Sequence, residues 1–334
     1  MTKDNVLFIG TVRHAKAQEA ELAEKYNIHY SAATRAELLE QLEDAKRQGV
    51  VYKALYRGFA SHYALGRVDK ELLDRLPQGL GLISSVGAGY DFVDAETATL
   101  YRQWVTNTPG VVNNATADAT ILLLLNTLRH YYEIEQTLRD GLGTKPRIGR
   151  DPTGMTLGIV GLGGIGKAVA RRALAFGMNV VYHNRKPISI SEKDEPSLSQ
   201  LQYCSTLDDL LVSSDVVSIH VPLSGETRHL MGPAQFEKMK KGAYFLNTSR
   251  GPVVDEEALV QALESGHLAG AGLDVFEKEP IIHPKLLKNM NVSLMPHLGA
   301  FTIDTIIKME ALSMKNIDQF LRDGTLLTPV NQIN

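Results

Sequence analysis

The sequence has 334 residues, 44% of them hydrophobic and 22% charged, with a formal net charge of −3. Those values are ordinary for a globular chain of about two domains, and without a long basic run they argue against nucleic acid or an anionic membrane as partner. The longest apolar run, 121–125, is too short to span a bilayer, the opening MTKDNVLFIG lacks the apolar core of a secretory signal, and the lone Cys204 fits a reducing, cytoplasmic setting without disulfides.

Short apolar or β-branched runs at 6–10, 28–30, 50–55, 81–85 and 104–106 alternate with helical patterns at 15–26, 35–47 and 69–76. Alternation of this kind predicts a parallel sheet with crossover helices. Tyr52, Tyr56, Arg57 and Phe59, at and just after the third run, are candidates to line a pocket, with core burial expected for at least half of them. After the fourth run comes Val86-Gly87-Ala88-Gly89-Tyr90-Asp91, whose glycines leave backbone N–H groups accessible, as an anion-binding nest requires. Asn107-Thr108-Pro109-Gly110 is a turn cluster. Asn113-Asn114-Ala115-Thr116-Ala117-Asp118 then leads into a helix at 119–130, apolar on most of its surface and therefore expected to be buried. A connector bearing Gly and Pro runs over 141–154.

Residues 155–184 read MTLGIVGLGGIGKAVARRALAFGMNVVYHN. An apolar run at 156–160 is followed by Gly161, Gly163 and Gly166 in the spacing G-x-G-x-x-G, with Gly164 and Ile165 between them. A helical pattern at 167–176 ends at Gly177, and a second run follows at 179–182. Strand, glycine turn, helix and strand together form the context that a dinucleotide fingerprint needs. The first glycine allows the tight turn, the second lets backbone approach a pyrophosphate, and the third lets helix and strand pack closely. The helix N-terminus offers its N–H groups to the phosphates. At the end of the second run stand His183-Asn184-Arg185-Lys186-Pro187, with no carboxylate to hold a ribose 2′-OH. This pattern predicts NADP(H), with Asn184, Arg185 and Lys186 as 2′-phosphate contacts; the alternative is a solvated basic loop and NAD(H). A polar loop at 189–202, further strands at 215–221, 243–247, 269–275 and 292–294, and a helix at 255–265 complete a doubly wound α/β domain. One more helix follows at 302–321.

Three polar residues stand at or just beyond the carboxyl ends of late strands, where open α/β sheets bind ligands. Arg250 lies in Asn247-Thr248-Ser249-Arg250-Gly251, Glu279 in the segment from Asp274 to Pro280, and His297 in Pro296-His297-Leu298-Gly299-Ala300. Reducing a ketone places hydride on carbon and requires a proton on oxygen. A histidine suits that donation, a carboxylate beside it favours the imidazolium, and a guanidinium can hold a carboxylate through two parallel bonds. Spacing alone does not single out these three. The histidines show no metal-ligand spacing, and no metal is expected.

The chain resembles the D-isomer-specific 2-hydroxyacid dehydrogenase family over nearly its whole length. The resemblance rests on five stretches in order: 86–91, 161–166, 247–251, 272–276 with Glu279-Pro280, and Pro296-His297. It implies that Arg250 binds a 2-oxo acid, that His297 is the acid/base and that Glu279 pairs with His297. Val86 and Gly87 would present N–H groups to the substrate carboxylate. Asp274 would hold the nicotinamide amide, Pro222 would pack the adenine, and Thr248 and Ser249 would lie near the nicotinamide ribose. Thr116, Val221, Thr227, His297 and Gly299 would complete the cofactor contacts. It further implies two Rossmann-like domains, a flavodoxin-like substrate domain from 1–112 and 301–334 and an inserted dinucleotide domain from 113–300, and a homodimer with the helix at 119–130 in its interface. The segment 113–118 is similar to that of fungal glyoxylate and hydroxypyruvate reductases. Together with Asn184-Arg185 it implies NADPH-dependent reduction of glyoxylate, hydroxypyruvate or a bulkier 2-oxo acid such as phenylpyruvate, while Glu279 disfavours formate. The alternatives are an NAD-dependent member and a dinucleotide-sensing, corepressor-like binding protein.

Overall fold

The structure, a computed structural model, describes residues 3–59, 61–143, 147–191, 193 and 195–333. Parts of the connector at 141–154 (residues 144–146) and of the polar loop at 189–202 (residues 192 and 194) lie outside the described residues. The chain forms two compact units, Met1–Val112 with Thr302–Asn334, and Asn113–Phe301.

The first unit opens with β1 (Asn5–Ile9), α1 (Lys16–Lys25), β2 (Asn27–Tyr30), α2 (Arg35–Arg47) and β3 (Tyr52–Arg57). It continues with α3 (His62–Leu65), α4 (Lys70–Arg75), β4 (Leu82–Ser85), α5 (Ala95–Leu100) and β5 (Trp104–Thr106). The strands pair in parallel in the order β2-β1-β3-β4-β5. All four residues of β4 are buried, which explains why these strands read as continuous apolar runs rather than alternating ones. α2 starts where Thr34 and Glu37 form a reciprocal capping box.

The second unit begins with α6 (Asn113–Arg129), α7 (Tyr131–Arg139), β6 (Thr156–Val160), α8 (Gly164–Ala175), β7 (Asn179–His183), β8 (Gln202–Tyr203), α9 (Leu207–Ser213) and β9 (Val216–Ile219). Then come α10 (Pro233–Lys238), β10 (Ala243–Asn247), α11 (Glu256–Glu264), β11 (Leu268–Leu273), α12 (Pro284–Lys288) and β12 (Val292–Leu294). Seven parallel strands run in the order β12-β11-β10-β9-β6-β7-β8, so the glycine turn after β6 lies mid-sheet between the ends of β9 and β7. One core cluster packs α6 and α8 against β6, and another packs α9, α10 and α11 against β9, β10 and β11.

α13 (Ile303–Asp323) returns to the first unit and packs on β3, β4 and α1. Its Glu310, fully buried, accepts the N–H groups of Arg13 (2.7 Å), His14 (2.9 Å) and Ala15 (2.9 Å) at the start of α1. A carboxylate there satisfies N–H groups that a helix start leaves unpaired.

Two local expectations change. α6 begins at Asn113, not near 119, because its polar opening turns already bury Thr116 and Ala117. Leu122 of α6 is 57% exposed within this chain, on the helix expected between domains or subunits. α7 is added to the expected elements; its Tyr131, Ile134 and Leu138 share one face, but none of its residues is buried within this chain. Among the described residues no helix is long and apolar enough to cross a membrane.

Candidate active site

The glycine turn is shaped by what its atoms would otherwise strike. Gly161 has φ +99°, and a Cβ there would come within 2.8 Å of the His220 carbonyl. A Cβ on Gly166 would overlap the carbonyl oxygen of Gly161, so α8 can approach the turn only with glycine at that point. A Cβ on Gly163, by contrast, would meet nothing within 4 Å. α8 starts one residue later, at Gly164, with Ile165 in its first turn, and its first N–H groups follow this open stretch. The residues therefore fit a dinucleotide pyrophosphate.

Beyond β7, Asn184 Oδ1 accepts the N–H of Leu162 (2.8 Å), and the Asn184 carbonyl accepts the Tyr203 hydroxyl (3.1 Å). Asn184 thus braces the glycine turn. Arg185 pairs with Glu226 at 2.8 Å, and Lys186 is exposed. After β9, Val221 is partly buried and Pro222 is exposed. Thr227 folds its hydroxyl back, donating to the Pro222 carbonyl (2.6 Å) and accepting the N–H of Ser224 (2.8 Å).

Three later strand ends carry the reactive groups. At the end of β10, buried Asn247 organises the next turn. Its Oδ1 accepts the N–H (3.0 Å) and hydroxyl (2.8 Å) of Ser249, and its Nδ2 donates to the carbonyl of Arg250 (3.0 Å). Arg250 in turn donates from its guanidinium to the Ser249 carbonyl (2.8 Å). A Cβ on the next residue, Gly251, would overlap the carbonyl of Phe276, so the turn carrying Arg250 lies in backbone contact with the loop that leads to Glu279.

At the end of β11, Asp274 is 1% exposed. Its two oxygens accept the N–H groups of Leu298 (2.7 Å) and Gly299 (2.8 Å), and its carbonyl accepts that of His297 (2.7 Å). Burial raises the Asp274 carboxyl, and these two N–H donors and His297 only partly oppose the rise. His297 is thereby held at a left-handed φ of +58°, an uncommon conformation for a side chain of its size. Its Nδ1 lies 2.8 Å from Glu279 Oε2, while Glu279 Oε1 accepts the N–H of Phe276 (3.0 Å). Burial by itself would raise the Glu279 carboxyl. The bond to His297, its charge, the Phe276 N–H and the nearby Arg250 charge outweigh burial and hold the carboxyl below its ordinary value.

Thr248 and Thr120 share a hydroxyl bond of 2.9 Å, and the Thr120 hydroxyl donates to the carbonyl of Thr116 (2.8 Å). A Cβ on Gly299 would lie 2.9 Å from Asp274 Oδ2 and 3.4 Å from Thr116, which places these three residues side by side.

Residues 121–299 match the family model described as D-isomer specific 2-hydroxyacid dehydrogenase, NAD binding domain. The chain belongs to the D-isomer-specific 2-hydroxyacid dehydrogenase family. It is 39% identical to 4-methyl-2-oxopentanoate reductase A of Aspergillus oryzae over 98% of this chain and 97% of the relative. A solved glyoxylate reductase from Paecilomyes thermophila superposes with a TM-score of 0.91 at 40% identity, covering 99% of each chain. An NADPH-dependent glyoxylate/hydroxypyruvate reductase from Sinorhizobium meliloti, solved with NADP and malonate, superposes with a TM-score of 0.83 at 31% identity, covering 98% of this chain and 97% of that one.

In the first unit of this dehydrogenase-family chain the loop after β4 is tied to its neighbours. The N–H of Val86 donates to the Arg57 carbonyl (2.9 Å), and the N–H of Gly87 donates to the Thr108 hydroxyl (2.8 Å). β4 carries its parallel pairing with β3 one residue past Ser85, and Thr108 caps the turn after it. Tyr52, Tyr56 and Arg57 are buried, and Phe59 is partly so. The Arg57 guanidinium lies 4.8 Å from the centroid of the Phe92 ring.

Sequence reasoning did not single out Asn247, Thr120 or Gly251. Asn247 and Gly251 stand inside the matched stretch 247–251, but only the hydrogen bonds show what they hold.

Proposed function

We propose that this protein reduces a small 2-oxo acid to the D-2-hydroxy acid with NADPH. The observation that carries the reading is the 2.8 Å pairing of His297 with a charged Glu279, beside the turn that bears Arg250. A bound reduced nicotinamide supplies the hydride. Arg250 binds the substrate carboxylate through its planar fork and polarises the adjacent carbonyl. Glu279 accepts from His297 Nδ1, which leaves Nε2 to deliver a proton to the carbonyl oxygen. Asp274 fixes the loop that carries His297 and stands beside Thr116 and Gly299, where it can hold the nicotinamide amide. Thr248 and Ser249 serve the adjoining ribose.

Support for NADPH comes from the end of β7, where Arg185 and Lys186 stand in place of a carboxylate, and from the relative solved with NADP. The names of the relatives favour glyoxylate, hydroxypyruvate or the branched 4-methyl-2-oxopentanoate as substrates. Leu122, Tyr131, Tyr132 and Leu138 of α6 and α7, with Leu142 and Ile148 of the connector, are all exposed apolar side chains, which supports a homodimer through this face.

The test is the loss of NADPH or NADH absorbance with glyoxylate, hydroxypyruvate, 4-methyl-2-oxopentanoate and phenylpyruvate. Turnover with NADPH several-fold above that with NADH is expected. Tight dinucleotide binding without turnover on any of the four would overturn the reading in favour of a dinucleotide sensor.

A further inference from the structure

We propose that Glu226 occupies Arg185 in the unliganded protein as an internal substitute for a 2′-phosphate, and so tunes the preference for NADP over NAD. The proposal builds on Arg185 as a 2′-phosphate ligand, as in the reading above. β6 lies between β9 and β7, so the segments that follow β7 and β9 flank the glycine turn on its two sides. Arg185 belongs to the first segment and Glu226 to the second, and their side chains meet at 2.8 Å across the turn.

The pair is 87% and 73% exposed, so burial does not hold it in place. The backbone on each side does. Asn184 is tied to the Leu162 N–H and the Tyr203 hydroxyl. The turn bearing Glu226 is laced by the Thr227 hydroxyl to Pro222 and Ser224, and by the Arg228 N–H to the Ser224 carbonyl at 3.0 Å. A guanidinium recognises carboxylate and phosphate through the same planar fork. NADP must therefore exchange one anion for another at Arg185, whereas NAD, which lacks the 2′-phosphate, need not. An exposed pair of this kind is worth little, so the expected effect is a tuning of about two- to fivefold, not a switch.

The experiment measures dissociation constants of NADP and NAD for the wild type, Glu226→Gln, Arg185→Ala and the double variant. Glu226→Gln should bind NADP about two- to fivefold more tightly, with NAD changed by less. In the Arg185→Ala background the same substitution should lose most of its effect on NADP. Unchanged NADP affinity in Glu226→Gln, or a gain that persists in full without Arg185, overturns the proposal. A wild type that prefers NAD defeats the NADPH reading alone, provided that Glu226→Gln still improves NADP binding through Arg185.

Discussion

Glu279→Gln tests the heart of the proposed chemistry while keeping the shape of the side chain. Glutamine can still accept from His297 Nδ1, but the negative charge is gone. In the wild type the two side chains are 18% and 26% exposed and meet at 2.8 Å. Charges about 4 Å apart near a protein surface interact by about 4 kcal/mol at an effective dielectric of about 20. Partial exposure reduces this to roughly 1.5–3 kcal/mol. The sign follows from the chemistry: reduction needs the proton on His297, and the carboxylate supports and orients the imidazolium that carries it. Without that support, kcat/KM for reduction should fall about 10- to 100-fold, with dinucleotide affinity preserved. Steady-state rates and a binding titration of the dinucleotide read both quantities. His297→Ala provides the lower bound, since loss of a general acid typically costs about 10²- to 10⁴-fold. A Glu279→Gln enzyme whose kcat/KM stays within about twofold of the wild type would refute the argument. The wild-type carboxyl sits below its ordinary value, so its contribution to stability is present at neutral pH and is lost as pH falls through its titration.

Other expectations follow from single contacts. Gly251→Ala forces a Cβ into the Phe276 carbonyl, so the loop leading to Glu279 must move; kcat should fall at least about tenfold while dinucleotide affinity holds, and equal loss of both would point to general unfolding instead. Glu310→Gln replaces one acceptor oxygen with an NH₂, leaving at least one N–H among Arg13, His14 and Ala15 without its acceptor. The local cost is about 1–3 kcal/mol, seen as roughly 10- to 100-fold faster amide exchange at residues 13–15, and unchanged exchange there would contradict it. Burial pushes the His220 imidazole down from 6.5 to about 4. Its contribution to stability is therefore complete above about pH 6.5 and declines toward pH 4, because the unfolded chain takes up the proton first. Its ring resonances should stay in the neutral position between pH 7 and 5, and a midpoint above 6 would show that the ring is solvated.

Where a residue's role comes from its immediate neighbours, the sequence alone determined it. The helical pattern at 35–47 becomes α2, and the apolar runs at 156–160 and 243–247 become β6 and β10 with their predicted ends. The spacing of Gly161, Gly163 and Gly166 reports a tight turn because backbone sterics act within a few residues. The order of Arg250, Glu279 and His297 was visible only through family resemblance, since nothing local ties a carboxylate to an imidazole 18 residues away. Tertiary structure decided who holds whom. Sheet order brings Arg57 and Thr108 to the N–H groups of Val86 and Gly87, Asn184 to Leu162, and Arg185 to Glu226. It also buries one side of α6 while leaving Leu122 exposed. A buried donor takes whichever acceptor the packed strands and loops place within reach, and that choice is made by the fold as a whole rather than by the residues on either side.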